Sequence, residues 1–128
     1  MTFQRYFTKT EWEPKVGYCR ALRAGPIIYL SGTAPITENG ATFAPNDAYA
    51  QACRCFEIIK STLVAMDAGL HQVVRTRMYV TDISQWAAFG QAHQEFFGEH
   101  PPVTAMLEVK GLINPDMLIE VEAEAFVG

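Results

Sequence analysis

The sequence has little of what identifies several large classes of protein. It contains only three cysteines, an odd number, and Cys53 and Cys55 are one residue apart, so no disulfide framework is indicated. No apolar stretch approaches the roughly 20 residues that a membrane-spanning helix requires. Residues 1–5 also lack the charged and then apolar layout of a signal peptide. These absences predict a cytoplasmic protein that does not act at a membrane.

Basic residues are few and dispersed. Ten Lys and Arg residues are set against 14 Asp and Glu, which gives a formal net charge of −4. Affinity for nucleic acid depends on Lys and Arg that are concentrated enough to neutralise phosphates. The charge balance therefore argues against a nucleic-acid partner.

Common catalytic and metal-binding motifs are missing as well. The histidines His71, His93 and His100 are scattered, and no paired His or Cys/His spacing indicates a metal site. Ser31 lacks the glycine two residues earlier that a nucleophile elbow requires. There is no glycine-rich loop for phosphate. His93 is interpreted as a core histidine with a hydrogen-bond partner.

The length and apolar content predict a single domain over residues 1–128. Hydrophobic residues make up 49% of the chain, which is enough for a packed core, and no segment resembles a linker. Alternating and helical periodicities predict strands at 18–23, 27–30, 73–80, 103–109 and 118–127, with a further strand at 3–7 left open.

Two helices are predicted between these strands. The first follows a cap at Asn46 or Asp47, ends at a left-handed Gly69, and has an apolar stripe of Tyr49, Ala52, Cys53, Phe56, Ile59, Leu63 and Met66. The second is capped by Asp82 or Ser84 and ends at Gly98. Its buried side is predicted to be Trp86, Phe89, His93, Phe96 and Phe97.

This order predicts an α+β fold with one small, mostly antiparallel sheet and both helices on one face. The other face of the sheet would need a partner if it is apolar, so self-association is expected. On the strand at 103–109, Val103, Ala105, Leu107 and Val109 are assigned to the helix side, with the reverse assignment left open.

The last strand places three carboxylates on one face. Glu120, Glu122 and Glu124 alternate with apolar residues at two-residue spacing. One interpretation is a solvated outer face, because glutamate is rarely buried without a partner. The other is that one glutamate lies in a cleft and carries a proton or orients water. The periodicity does not distinguish the two.

Several segments together resemble the Rid (reactive intermediate deaminase) family, also called the YjgF-like or endoribonuclease L-PSP family. The resemblance extends over nearly the whole chain in the right order, and its most specific part is the C-terminal block. The matching segments are Gly17-Tyr18, residues 28–32 (IYLSG), 78–82 (MYVTD), Phe96-Phe97, Pro101-Pro102 and 114–123 (NPDMLIEVEA).

The resemblance implies a chorismate-mutase-like fold and a homotrimer, in which the sheets form a central β-barrel and three clefts lie between subunits. It also implies a cofactor-free hydrolase. Members of the best-known branch convert enamines and imines such as 2-aminoacrylate to a keto acid and ammonia. In that branch an arginine grips the substrate carboxylate, and a glutamate on the last strand is thought to place the water.

By position, Glu120 matches the catalytic glutamate of the family, and Tyr18, Ser31 and Gly32 match its substrate-binding residues. Two positions depart from the pattern. The arginine that grips the substrate carboxylate in the family would fall in the segment 101–106, where the matching residue is Thr104. Thr104 and Met106 of this segment are included in the expected substrate-binding set. The asparagine of the second helix is replaced by Gly90.

A threonine hydroxyl cannot supply the charged, bidentate grip of arginine, so binding of 2-imino acids should be weaker. Arg20, two residues after Tyr18 on the predicted strand, is a candidate substitute; the alternative is an exposed surface arginine. Three functions stay open: a deaminase with an altered substrate, a non-catalytic ligand-binding trimer, and the endoribonuclease or translation-inhibitor role of parts of the family.

Overall fold

A computed structural model describes residues 2–128. The elements, in chain order, are β1 (Phe3–Tyr6), α1 (Trp12–Val16), β2 (Ala21–Ala24), β3 (Ile27–Thr33), α2 (Ala48–Ala65), β4 (Val73–Val80), α3 (Trp86–Phe97), β5 (Val103–Glu108) and β6 (Ile119–Phe126). Short 3-10 turns at Leu70–Gln72 and Ile83–Gln85 precede β4 and α3.

The six strands form one sheet in the order β1-β2-β3-β6-β4-β5. All neighbouring pairs are antiparallel except β4 and β5, which run parallel because α3 forms the crossover between them. Helix α2 packs on β3, β6 and α3, and the core lies between helices and sheet. The last strand is therefore central, with β3 on one side and β4 on the other.

The N-terminal part differs from the sequence prediction in two ways. Strand β2 begins at Ala21 rather than at Tyr18, and the one-turn helix α1 was not predicted. This helix is held by contacts that periodicity does not reveal. The buried Glu13 carboxylate accepts hydrogen bonds from the Thr8 backbone at 3.0 Å and from the Thr8 and Thr10 hydroxyls at 2.5 and 2.9 Å.

Helix α2 begins where the sequence predicted and ends differently. The Asp47 carboxylate caps it by accepting from the Ala50 N–H at 3.0 Å. The predicted left-handed stop at Gly69 is wrong: Gly69 is extended, and Asp67 has the positive φ of 59°. The stripe is also wrong at Tyr49, which is 38% exposed, whereas Cys55, which the stripe omitted, is buried.

Helix α3 buries fewer of its aromatic residues than predicted. Phe89 and Phe97 are buried, but Trp86, assigned to the buried side, is 63% exposed. Trp86 is the first residue of the helix and follows the 3-10 turn that Asp82 caps through the Ser84 N–H. Its side chain therefore lies at the end of the helix, beyond the core.

Strand β4 has a bulge at its start that buries Val73 and exposes Val74, whereas Thr76, Met78 and Val80 further along are buried in alternation. On β5 the predicted assignment of faces is reversed. Thr104 hydrogen-bonds to the buried Thr76 of β4, and Val103 on the other face is 59% exposed.

The sheet face opposite the helices carries charged and polar side chains on its central strands. Glu122 and Glu124 of β6 lie beside Arg75, Arg77 and Tyr79 of β4, and the alternating partners on β6 are buried in the core as predicted. Within residues 2–128, no helix is long and apolar enough to cross a membrane.

Candidate functional site

Glu120 differs from the two glutamates that follow it on β6. Glu122 accepts a hydrogen bond from the Tyr79 hydroxyl at 2.6 Å, and Glu124 pairs with Arg77 at 3.2 Å. Glu120 has no hydrogen bond or ion pair of its own with any residue in the 2–128 range. The three carboxylates that look equivalent in the sequence are therefore distinguished by their partners, and Glu120 is the one that is free to act on a ligand.

The backbone of β3 makes room for this carboxylate. The pairing of β3 with β6 is irregular between Leu30 and Thr33, and this bulge brings Gly32 against the Glu120 side chain. A Cβ atom on Gly32 would lie only 2.6 Å from Glu120 Oε2. A side chain at this position would therefore displace the Glu120 carboxylate from its place beside the backbone.

The environment of Glu120 shifts its acidity. Burial raises the pKa of the Glu120 carboxyl above its ordinary value, because the charged form loses hydration, and the neighbouring Glu122 charge raises it further. Arg20 acts in the opposite direction, since its positive charge favours the carboxylate. A carboxyl with a raised pKa is a stronger base once ionised, which suits proton transfer near neutral pH.

Arg20 is buried, with only 5% of its surface accessible to solvent, so the alternative that it is an exposed surface arginine is wrong. Its Nη2 donates to the Gly32 carbonyl oxygen at 2.7 Å, and its guanidinium carbon lies 5.7 Å from the centre of the Tyr18 ring. Its Nε is buried and has no partner among the described residues. Arg20 thus lies within the cluster that holds Gly32 and Glu120.

Tyr18 and Ser31 belong to the same cluster. Tyr18 follows Gly17, whose φ of 87° ends α1 and turns the chain toward β2. The Ser31 hydroxyl donates to the Cys19 carbonyl oxygen at 2.7 Å, and the Ser31 N–H donates to the Arg20 carbonyl oxygen at 3.0 Å. The structure therefore brings Tyr18, Arg20, Ser31, Gly32 and Glu120 together at the junction of β2, β3 and β6.

An open groove of about 1140 Å³ adjoins this cluster. Tyr18 and Ser31 line it together with the paired Glu122 and Glu124, but Glu120 does not. We place the candidate site at the Glu120 end of the cluster, because a carboxylate that is already paired is poorly suited to activate water.

Thr104 and Met106 are not brought to this cluster within one chain. Both lie on β5, the strand at the opposite edge of the sheet, which pairs with β4 alone. Thr104 is exposed, whereas Met106 packs against the core. A site that contains both groups of predicted residues would need a second copy of the chain.

A chain of hydrogen bonds connects Thr104 to the core. The Thr76 hydroxyl, fully buried on β4, donates to the Thr104 oxygen at 2.7 Å and lies 2.8 Å from His93 Nε2. The interpretation of His93 as a core histidine with a partner fits this geometry, and burial lowers the pKa of its ring. On the same helix, α3, Gly90 faces open space, so an added side chain would meet no other part of the described residues within 4 Å.

The sequence interpretation missed Thr76 and the burial of Arg20. A threonine among the apolar residues on the core face of β4 was the available signal for Thr76, because a buried hydroxyl needs partners. For Arg20 no local signal existed. Among residues 2–128, no three His, Cys, Asp or Glu side chains are grouped so that they could hold a metal ion.

Comparison with known proteins adds the family. The profile of the endoribonuclease L-PSP family matches residues 8–127. The chain belongs to this family. The resemblance to the Rid or YjgF-like proteins, which is the same family under other names, is confirmed, and so is the α+β, chorismate-mutase-like fold.

Individual L-PSP relatives are similar along almost the whole chain. The Mycobacterium tuberculosis protein Rv2704, described as a member of the YjgF/YER057c/UK114 family, is 40% identical with a TM-score of 0.89, covering 98% of this chain and all of that one. The 3-aminoacrylate deaminase RutC of Acinetobacter baylyi is 33% identical over 89% of this chain and 90% of its own. A RutC family protein of Pyrococcus abyssi is 32% identical over 94% of each.

Proposed function

We propose that this protein is a cofactor-free deaminase that hydrolyses a small enamine or imine in clefts between the subunits of a homotrimer. The observation that carries the proposal is Glu120, a partly buried carboxylate without a fixed partner, which lies against Gly32 and beside Arg20. That an L-PSP relative is named as a 3-aminoacrylate deaminase supports the same reaction class.

In the proposed reaction the enamine first takes a proton from solvent on carbon and becomes the iminium, the protonated imine. Glu120 then orients a water molecule and accepts one of its protons as the oxygen attacks the iminium carbon. Glu120 passes this proton to the nitrogen, and the C–N bond breaks, so that ammonia leaves with the bonding electron pair. The remaining hydroxyl proton is released to solvent as the carbonyl forms, and Glu120 is unchanged after one turnover.

The proposed trimer follows from the separation of Thr104 and Met106 from Glu120 within one chain. Strand β5 ends the sheet with an unpaired edge, and Val103 and Leu107 are exposed on the face opposite the helices. Exposed apolar residues beside a free edge favour contact with a second copy. In such an assembly, β5 of one subunit would supply Thr104 and Met106 to the Tyr18, Ser31 and Glu120 cluster of its neighbour.

Thr104 sets the expected preference among imines. A hydroxyl offers one donor and no charge, so it binds a carboxylate less strongly than the planar fork of an arginine does. We therefore propose that this deaminase accepts 2-imino acids poorly and prefers imines that have an uncharged group in place of the carboxylate. Replacing Thr104 by Arg is expected to raise kcat/KM for 2-aminoacrylate and not to raise kcat/KM for an uncharged imine.

The test compares substrates on the purified protein. Ammonia and carbonyl product are measured with 2-aminoacrylate and 3-aminoacrylate, both generated enzymatically in the assay, and with an uncharged imine of similar size. Acceleration above the spontaneous hydrolysis of at least one of them is expected. If none is accelerated, by wild type or by Thr104→Arg, the deaminase proposal is wrong.

A second candidate is a trimer that binds a small ligand without turning it over. The replacement of the expected arginine and asparagine by Thr104 and Gly90 favours it, because both changes remove groups that hold substrate. A thermal-shift screen separates the two, since a ligand that raises the Tm and is recovered unchanged indicates binding alone. The endoribonuclease role has the net charge of −4 against it and would require RNA binding that persists at high salt.

A further inference from the structure

Arg20 is a buried cation with few fixed partners. Burying a guanidinium is unfavourable unless hydrogen bonds and opposite charges replace its hydration. Among residues 2–128, the one hydrogen bond of its guanidinium is to the Gly32 carbonyl oxygen, its Nε has no partner, and its side chain makes no ion pair within 4.0 Å. Fold stability alone does not account for a charge held in this way.

The position of Arg20 relates it to the proposed catalytic group. Gly32 lies between them: its carbonyl oxygen receives the Arg20 hydrogen bond, and its α-carbon faces Glu120 Oε2. The carbonyl oxygens of Cys19 and of Arg20 itself accept the hydrogen bonds of the Ser31 hydroxyl and N–H. The Arg20 side chain is therefore hydrogen-bonded to the bulge of β3, and its positive charge attracts the Glu120 carboxylate that lies against this bulge.

We propose that Arg20 is a positioning residue for Glu120, holding the Gly32 bulge in place by its hydrogen bond and favouring the carboxylate form of Glu120 by its charge. The catalytic meaning of this role rests on the proposed function, but the charge coupling itself does not. Lys at this position would keep the charge and lose the planar fork, so the two parts of the role can be separated.

The other groups around Glu120 do not supply a cation. Glu122 on the same strand repels the carboxylate. Tyr79 lies opposite in the β4 register, and its hydroxyl is already bonded to Glu122. From α2, the buried thiol of Cys55 is kept neutral, since burial raises its pKa. Of the described residues that act on the acidity of Glu120, Arg20 is thus the one that favours ionisation.

The test measures the acidity of Glu120 directly and needs no substrate. The side-chain carboxyl carbon of Glu120, labelled with ¹³C and assigned by its loss in Glu120→Gln, is titrated by NMR in wild type, Arg20→Gln, Arg20→Met and Arg20→Lys. Arg20→Met removes the charge while filling the same volume, in case Arg20→Gln does not fold. Arg23→Gln is the matched control, because Arg23 is a nearby arginine whose Nε bonds to the Gly25 carbonyl oxygen.

The Glu120 pKa is expected to rise in Arg20→Gln and Arg20→Met and to stay near the wild-type value in Arg20→Lys and Arg23→Gln. A folded Arg20→Met or Arg20→Gln protein with an unchanged Glu120 pKa would overturn the proposal. In active enzyme, the acid limb of the kcat/KM profile should move to higher pH with the same variants. If the titration shifts but wild type turns over no imine, the positioning role stands and only the deaminase function fails.

Discussion

At the scale of single residues, the contact between Gly32 and Glu120 defines the candidate site. The sequence singled out Glu120 only through its resemblance to a family, because alternation along β6 gives three equal carboxylates. The structure separates them by their neighbours: Tyr79 holds Glu122, arginines hold Glu124, and a glycine at a bulge leaves space for Glu120. Such distinctions depend on strand pairing across the sheet, which a local pattern does not contain.

Gly32→Ala should therefore damage the site more than the fold. The added methyl would lie 2.6 Å from Glu120 Oε2, so the carboxylate must move, and kcat/KM for the accepted imine is expected to fall by roughly 100-fold, in the range for a displaced proton-transfer group. Steady-state kinetics and a melting curve of the same preparation check this.

Gly111→Ala is the matched control for that substitution. Gly111 is exposed, has no positive φ and faces open space, so an added methyl should leave activity unchanged and change stability by less than about 1 kcal/mol. Equal losses of activity in the two variants would show that the close approach at Gly32 has no special role.

At the scale of elements, most of the apolar stripe of α2 and the exact extent of β4 were predictable, and the orientation of β5 was not. Alternation assigned Val103, Ala105 and Leu107 to the helix side, but β5 is an edge strand on which this apolar face is exposed. The opposite face is the one that contacts the core, through the hydrogen bond between Thr76 and Thr104 and through Met106. Likewise, the missed helix α1 depends on Glu13, whose partners Thr8 and Thr10 are polar and give no periodic signal.

The chain His93–Thr76–Thr104 predicts a measurable loss of stability in Thr76→Val. Valine has nearly the shape of threonine, but it removes the hydroxyl that bonds to both neighbours and leaves the half-buried His93 side chain without its partner. The free energy of unfolding in urea is expected to fall by about 1–3 kcal/mol. Thr104→Val, at an exposed position, should cost less, because water can replace its bond; the reverse order would contradict this account of β5.

At the scale of the whole molecule, the number of domains and the need for a partner could be argued from the sequence, but the residues that meet across subunits could not. The structure of one chain leaves Thr104 and Glu120 at separate parts of the sheet, since β5 ends it beyond β4. The proposed cleft therefore requires assembly, and activity should follow oligomeric state.

Val103→Glu tests that dependence. A charge at this exposed position beside the free edge of β5 should prevent association. The mass measured by sedimentation should then fall from three times the 14.3 kDa chain mass to that of a single chain, and activity should be lost. Val64→Glu is the control, because Val64 is equally exposed, at 62%, but lies on α2. Wild-type protein that sediments as a monomer at micromolar concentration would refute the trimeric cleft.

The most direct test of the central claim is the kcat/KM of Glu120→Gln for whichever imine the wild type accepts. The amide keeps the size of the side chain and cannot take a proton from water, so kcat/KM is expected to fall by roughly 10²–10⁴-fold. The melting temperature is expected to stay the same or rise, because the substitution removes a partly buried charge. A Glu120→Gln protein that releases ammonia as fast as the wild type would contradict the assignment of Glu120 as the group that activates water.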